Sequence, residues 1–194
     1  MNKLTRKFYD RDTLTVAREL LGKHLVRVLN GEQLVCRITE TEAYIGRCDK
    51  ACHAYHYRRT ARTETLFAQP GTAYIYFIYG MYHCLNFVTE PEGEPAAVLI
   101  RGLEAVSGSK TMTRLRYPKA AGELTPYQRK NFLNGPGKLC KALSLDRSLN
   151  GLDLTENILY VCDSGETPEK IYTGPRIGID YAEEAVHFPW RFWL

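Results

Sequence analysis

The sequence predicts an α+β domain built on a mainly antiparallel sheet, and three observations carry that expectation. Two hairpin signals lie in the first half of the chain, one at Asn30-Gly31 and one in the aromatic segment around Gly80. A third strand-like segment follows the second hairpin through a short polar turn, so strands succeed one another without the intervening helices of a parallel sheet. Finally, the 194 residues suffice for one hydrophobic core, and no repeat, low-complexity tract or linker divides them. A single domain over 1–194 is expected, with peripheral helices and a protruding aromatic β-hairpin.

Asp12 is placed to cap a short helix through Leu21, with Leu14, Ala17 and Leu21 on one face and Gly22 as its stop. Lys23 to Val28 and Gln33 to Ala43 read as strands joined around Asn30-Gly31. The two-residue period sets Leu34, Cys36, Ile38, Glu40 and Glu42 on one face, so an apolar face is expected to run into two carboxylates. Residues 48–69 lack periodicity and read as a long loop with one helical turn. Ala73 to Tyr79 and Tyr82 to Val88 form the clearest hairpin, with Gly80-Met81 as a two-residue connection and Tyr79 and Tyr82 beside the tip. Ala96 to Leu103 should pair with it. Helices are expected around Lys110 to Leu115, after Thr125-Pro126 and after Gly135-Pro136-Gly137, where a cap or a first-turn proline opens a helix. Short strands around Ile158 to Val161 and Arg176 to Ile179 would close the domain.

Hydrophobic residues at 44% and charged residues at 25% exclude disordered and fibrous classes. No stretch reaches the roughly 20 apolar residues of a membrane span, and the segment from Met1 to Lys7 lacks a signal-peptide core. The chain is expected to work as a monomer, without a membrane, in the compartment where it is made. Six cysteines without an export signal (Cys36, Cys48, Cys52, Cys84, Cys140 and Cys162) favour reduced thiols over disulfides. A net charge of +4 and a pI near 8.7 permit a polyanionic partner without demanding one. Arg58, Arg59 and Arg62 form one basic cluster, Lys110, Arg114, Arg116 and Lys119 a second, and Lys138 and Lys141 a third; solvated loops and helix faces would look the same.

Chemistry enters at Glu40-Thr41-Glu42-Ala43-Tyr44, where two acids at strand spacing end a partly apolar face. Burial there would raise a carboxyl pKa and suit a general base, although two acids in a salt bridge at a strand end fit equally. The hairpin from Tyr74 to Tyr82 carries more aromatic surface than its length requires. Tyr74 and Tyr76 share one face and Ile75, Phe77 and Tyr79 the other, so one set can pack inside while the other stacks on a partner. A planar side chain at the tip could wedge into a base stack or serve a protein interface. Cys48-x3-Cys52-His53 with His56 nearby invites a zinc reading, but the spacing is a weak match and no second ligand pair follows. Gly135-Pro136-Gly137-Lys138 before a helix could hold a phosphate through Lys138 and free backbone N–H groups, or simply open a capped helix.

In order and spacing these segments resemble the alkyladenine DNA glycosylases, also called mammalian-type 3-methyladenine DNA glycosylases. The matching motifs are Glu40-Thr41-Glu42-Ala43-Tyr44, His53, Gly71-Thr72-Ala73-Tyr74-Ile75-Tyr76, Tyr79-Gly80-Met81-Tyr82, Asn86 and Leu99-Ile100-Arg101. They continue through Gly135-Pro136-Gly137-Lys138-Leu139-Cys140, Arg176-Ile177-Gly178 and Pro189-Trp190-Arg191-Phe192, so that nearly the whole chain is covered. The resemblance implies a curved antiparallel sheet, no metal and no cofactor. It implies Glu42 as general base, with Arg101 positioning water and backbone. Tyr44, His53 and Tyr76 would line a base pocket and Asn86 would clash with the amino group of normal guanine. Tyr79 would be the intercalating wedge, with Met81, Tyr82 and Lys138 as further contacts to DNA. Cys48, Cys52, Tyr55, His56 and His83 depart from the family pattern around the pocket rim and the tip.

The implied reaction is hydrolysis of alkylated or deaminated purines (3-methyladenine, 7-methylguanine, hypoxanthine, ethenoadenine) from damaged duplex DNA. It would take place in the cytoplasm of a prokaryote, at the nucleoid, or in the nucleus of a eukaryote. The competing classes are a non-catalytic binder of damaged DNA and a zinc-dependent adaptor built on the Cys48 to His56 loop.

Overall fold

A computed structural model describes residues 2–120 and 123–194. Among them, eight strands form one open sheet, ordered β3-β4-β5-β2-β1-β6, with β8 paired to β2 and β7. The strands are β1 (His24–Leu29), β2 (Glu32–Ile45), β3 (Ala73–Ile78), β4 (Tyr82–Val88), β5 (Ala96–Ser107), β6 (Leu159–Cys162), β7 (Tyr172–Gly174) and β8 (Arg191–Trp193). Every pairing is antiparallel. The helices are α1 (Arg6–Tyr9), α2 (Thr13–Glu19), α3 (Ser109–Arg116), α4 (Pro126–Lys130) and α5 (Pro136–Ala142). The expected α+β class is therefore the observed one. No helix of the described residues is long and apolar enough to cross a membrane.

Local chemistry accounts for most boundaries. Asp12 caps α2 by accepting the Thr15 backbone N–H at 2.8 Å, and Gly22 stops the segment with φ +84°. Asn30 and Gly31, at φ +51° and +82°, make the two-residue turn between β1 and β2. Thr125 and Gln128 form a reciprocal capping box around Pro126 at the start of α4. The main core lies between one sheet face and the helices: Val16 and Ala17 of α2 with Leu20 at its C-cap, Met112 of α3 and Leu139 of α5 pack on Leu34, Ile38, Leu85, Phe87 and Ile100. Each of these side chains except Ala17 contributes about 1.5–3 kcal/mol on burial.

Several details differ from expectation. The buried stripe of α2 adds Val16 and Leu20, and Leu14 is only half-buried, because the helix turns its i, i+3, i+4 row to the sheet. Segment 48–69 contains two short 3-10 helices, Tyr55–Tyr57 and Glu64–Phe67, in place of one turn. Residues 176–179 are not a strand; the late strands are β7 and β8, and β8 takes the place beside residues 40–42 of β2 that β1 leaves vacant. The aromatic hairpin closes with Ile78 opposite Tyr82, so its connection is three residues, Tyr79-Gly80-Met81. Tyr79 is thus in the turn, at φ +52°, followed by Gly80 at φ +67°.

The most consequential difference lies in β2. Leu34, Cys36 and Ile38 enter the main core, but after them the core positions are Thr41, whose hydroxyl donates to the Ala17 carbonyl at 2.8 Å, and Ala43. A register irregularity between Ile38 and Thr41 shifts the alternation by one residue, so Glu40 and Glu42 do not continue the apolar face. They emerge on the opposite side. Strand β5 slips in step: Val98 and Ile100 face the core, then Leu103. Gly102 makes the crossing possible, since a Cβ there would stand 2.9 Å from Glu40 Cβ and 3.0 Å from Thr39 Oγ1. Gly102→Ala should therefore cost about 1–3 kcal/mol through overpacking, read as a lower urea midpoint at unchanged slope. An unchanged midpoint would mean that the strands part there freely.

Candidate active site

The sheet face opposite the main core carries a cavity of about 490 Å³, and strand register explains its walls. Residues opposite one another on antiparallel strands point to the same face. Tyr74 of β3 lies across from Asn86 of β4, Asn86 from Leu99 of β5, and Leu99 from Glu42 of β2. The neighbouring row sets Tyr76 across from Cys84. Segment 48–69 folds over this face and supplies Cys52, His53 and Leu66, while the loop after β7 supplies Ile177 and Tyr181.

Glu42 is fully buried just behind this lining. Its Oε1 accepts the Ile177 backbone N–H and its Oε2 the Tyr44 hydroxyl, both at 2.8 Å. Arg101 Nε stands 3.5 Å from Glu42 Oε1 and donates to Glu40 Oε1 at 3.2 Å. Glu40 also accepts Arg191 Nε at 2.7 Å, so this acid is committed to two guanidinium groups. Burial pushes the Glu42 carboxyl above the usual glutamate range; Arg101, the Ile177 N–H and the Tyr44 hydroxyl pull against that rise, and Glu40 adds to it. Burial likewise opposes the charge of Arg101, and the carboxylates of Glu42 and Glu40 more than offset it. Each Glu42 oxygen still has a lone pair to offer a water.

The loop bearing Ile177 is anchored by Arg176. Its guanidinium and the Asp49 carboxylate form a wholly buried ion pair, with Nη2 to Oδ1 at 2.7 Å. Arg176 Nη1 also donates to the Ala43 carbonyl at 2.8 Å, and the group lies 4.7 Å from the Tyr44 ring centre.

The aromatic walls hold one another. His53 stands edge-on to Tyr76, with ring centres 4.6 Å apart, and its Nδ1 lies 3.1 Å from the Tyr74 hydroxyl. Asn86 is pinned by donating to the Tyr74 carbonyl at 3.1 Å. Cys52 and Cys84 border the same space as free thiols. Burial pushes Cys52 up to about 12 and raises Cys84, a rise that the Tyr76 hydroxyl and Arg101 partly oppose.

Of the residues singled out in the sequence, Tyr44, His53, Tyr76, Asn86, Arg101, Tyr79, Tyr82 and Lys138 all border this cavity. Glu42 lies just behind them, whereas Met81 projects from the tip, 66% exposed, and does not line the cavity. Tyr79 is 79% exposed in its left-handed turn, a backbone state that costs a non-glycine residue about 1–2 kcal/mol. Tyr82 packs on Gly137, where a Cβ would come within 2.8 Å of its ring, so the hairpin base and the 135–138 turn are in contact. Lys138 Nζ donates to Asn131 Oδ1 at 2.8 Å and to Asn134 Oδ1 at 2.9 Å. Among the described residues, no group of three or more His, Cys, Asp or Glu side chains is arranged to hold a metal ion.

Sequence reasoning missed Tyr74, Cys84, Leu99 and the Ile177 backbone as parts of the site. Tyr74 carried a signal, its place two residues before Tyr76 on one strand face. Cys84 and Leu99 follow only from cross-strand register, and the Asp49–Arg176 pair joins positions 127 residues apart.

The family model described as Methylpurine-DNA glycosylase (MPG) matches residues 7–194. A Clostridium perfringens protein named "Putative 3-methyladenine DNA glycosylase" is 55% identical over 99% of this chain and 95% of its own length. Proteins of the same name from Alkaliphilus oremlandii (52% identical, 99% of this chain and 95% of theirs) and Desulfitobacterium hafniense (50%, 100% and 96%) are similar over the same extent.

Burial, with the Arg62 guanidinium nearby, pushes the His53 imidazole down to about 4, so the ring is neutral at pH 7. A free histidine gains its proton near pH 6.5; because the folded-state value is lower, His53 should remain neutral on acidification through pH 6 and 5. The ring carbon–proton resonances of His53 report this directly. A midpoint near 6.5 would show that the ring is solvated.

Proposed function

The chain belongs to the methylpurine-DNA glycosylase family and is a DNA glycosylase, and on that premise we propose that it excises alkylated and deaminated purines from duplex DNA by simple hydrolysis. The observation that carries this reading is Glu42, a buried carboxylate with two donors and Arg101 beside it, just behind the lining of an aromatic cavity.

The duplex lies against the rim bearing Lys138 and Arg116, and Tyr79 enters the base stack from the hairpin tip. Its exposure and its fixed turn support this role. The displaced purine stacks between Tyr44 or His53 and Tyr76, and unstacking costs least for a damaged or mispaired base. Asn86, pinned by the Tyr74 carbonyl, stands where the exocyclic amino group of guanine would clash. Glu42 orients a water and takes its proton as the water attacks the anomeric carbon and the glycosidic bond loosens. The same negative charge stabilises the oxocarbenium-like sugar, and Arg101 keeps Glu42 charged while helping to position the water. The neutral His53 can stack on the base without adding a competing charge. The products are the free base and an abasic site, with the strand intact. The bacterial relatives support action at the nucleoid in the cytoplasm.

Glu42→Gln keeps the shape but removes the charge and the basic site. It should bind a hypoxanthine duplex like the parent and lose base release by about 10²–10⁴-fold or more. Glu40→Gln, which removes the charged partner of Arg101 and Arg191 and one carboxylate beside Glu42 but leaves Glu42 itself in place, should lose far less. Single-turnover release and duplex affinity, measured in parallel for both, decide the assignment: a Glu42→Gln enzyme near parental turnover would refute it. An intact protein that binds lesion duplexes yet releases no purine would instead be the non-catalytic binder. Tyr79→Ala should depress excision from duplex much more than from single-stranded substrate. An equal effect on both would remove the wedge role.

A further inference from the structure

The Asp49–Arg176 pair is a buried feature beside the cavity that the mechanism above does not use. Both side chains are wholly buried, and a buried ion pair contributes little to stability, since desolvation consumes the Coulombic gain and a well-packed apolar pair often serves as well. Its partners suggest another role. Asp49 is itself held by the Ala51 backbone N–H at 2.9 Å, and it fixes Arg176 through Nη2 at 2.7 Å. Arg176 then reaches three places around Glu42. Nη1 donates to the carbonyl of Ala43, the next residue of β2; the guanidinium lies on the ring of Tyr44, whose hydroxyl donates to Glu42 Oε2; and the peptide bond following Arg176 presents the Ile177 N–H to Glu42 Oε1. Residues 176–179 belong to no strand, so no sheet ladder holds that N–H in place.

We propose that Arg176, oriented by Asp49, is a positioning residue that locks both hydrogen-bond donors of Glu42 and thereby keeps this buried acid ionised for catalysis. This rests on Glu42 being the base. The charged and titratable groups facing Glu42 are Glu40 and Tyr44 from β2, Arg101 from β5, Cys84 from β4, Arg191 from β8 and Arg176 itself. Of these, only Arg176 grips the two donors without touching the carboxylate. Burial favours the protonated acid and the donors favour the carboxylate. Loosening them leaves burial less opposed, so the pKa of Glu42 rises and activity is lost at a higher pH as the solution is acidified.

The test uses Arg176→Lys, which cannot bond Asp49, Ala43 and Ala185 together, and Asp49→Asn. Two quantities are followed against pH: single-turnover purine release, and the ¹³C-carboxyl resonance of Glu42, assigned by its absence in Glu42→Gln. Both midpoints should move upward together by about one unit, a tenfold loss of rate below the limb, with release approaching the parental value on the alkaline side and duplex affinity retained. A rate reduced equally at every pH, with the carboxyl midpoint unmoved, would overturn the proposal and leave the pair a structural one. If those variants do not fold, Asp49→Glu keeps both charges and displaces the anchor by one methylene; a smaller upward shift is expected, and none would be equally fatal. Should Glu42→Gln prove active, the general-base assignment fails on its own, and the carboxyl titration still decides whether the pair governs this acid.

Discussion

A strand that alternates strictly cannot bring Leu34, Cys36 and Ile38 into a core and also present an acid six or eight residues on, at Glu40 or Glu42, to the opposite face. The single-residue slip between Ile38 and Thr41 resolves this, and most of the cavity side of the molecule depends on it. Thr41 and Ala43 take over the core side of β2, Tyr44 turns to the cavity, and Glu42 lies on that same side just behind its lining. In β5 plain alternation with Val98 and Ile100 sets Leu99 and Arg101 on the same side as the acids, and the matching slip follows, returning Leu103 to the core. Close approach at Gly102 is the local condition for both, which ties the chemistry to the absence of one side chain.

Once Glu42 is turned out of the main core it is still buried, so its charge must be supported by protein groups. The Ile177 N–H, the Tyr44 hydroxyl and Arg101 do so from three different segments. Glu40 occupies Arg101 and Arg191 together, and their side chains are thereby held across β2, β5 and β8. The acid that resembles Glu42 in sequence is thus set apart from it by its partners: one is shared between two arginines, the other capped by one peptide and one phenol. Two carboxylates two residues apart acquire different chemistry from their surroundings.

The elements that rest on local chemistry were legible in the sequence. Asp12, Asn30-Gly31 and Thr125-Pro126 each act within a few residues of themselves, and each forms the cap or turn expected of it. That Tyr74 and Tyr76 share a strand face was legible too, whatever their partners are, although which face would line a cavity was not. The slip in β2 was not, because its cause is the meeting of Gly102 with Glu40, two residues distant in sequence that meet only when β5 pairs with β2. The position of Tyr79 within the turn depended on one residue of register, and the peptide donor to Glu42 came from residues 176–179, read as a strand. Nothing in their composition announces that an arginine there must find an aspartate near residue 50. Sequence motifs named the groups that border the cavity more readily than those that hold them.

The two thiols beside the cavity bear on how the protein withstands the hazard that creates its substrates. Alkylating agents attack nucleophiles, and the thiolate, not the thiol, is the nucleophilic form of cysteine. Burial keeps Cys52 and Cys84 protonated at neutral pH, and the cavity exposes little of either residue. A repair protein at work during alkylation stress shares the solution with the reagent. The same burial that raises the Glu42 carboxyl keeps these neighbouring sulfurs in the thiol form, which makes them poor targets for such a reagent.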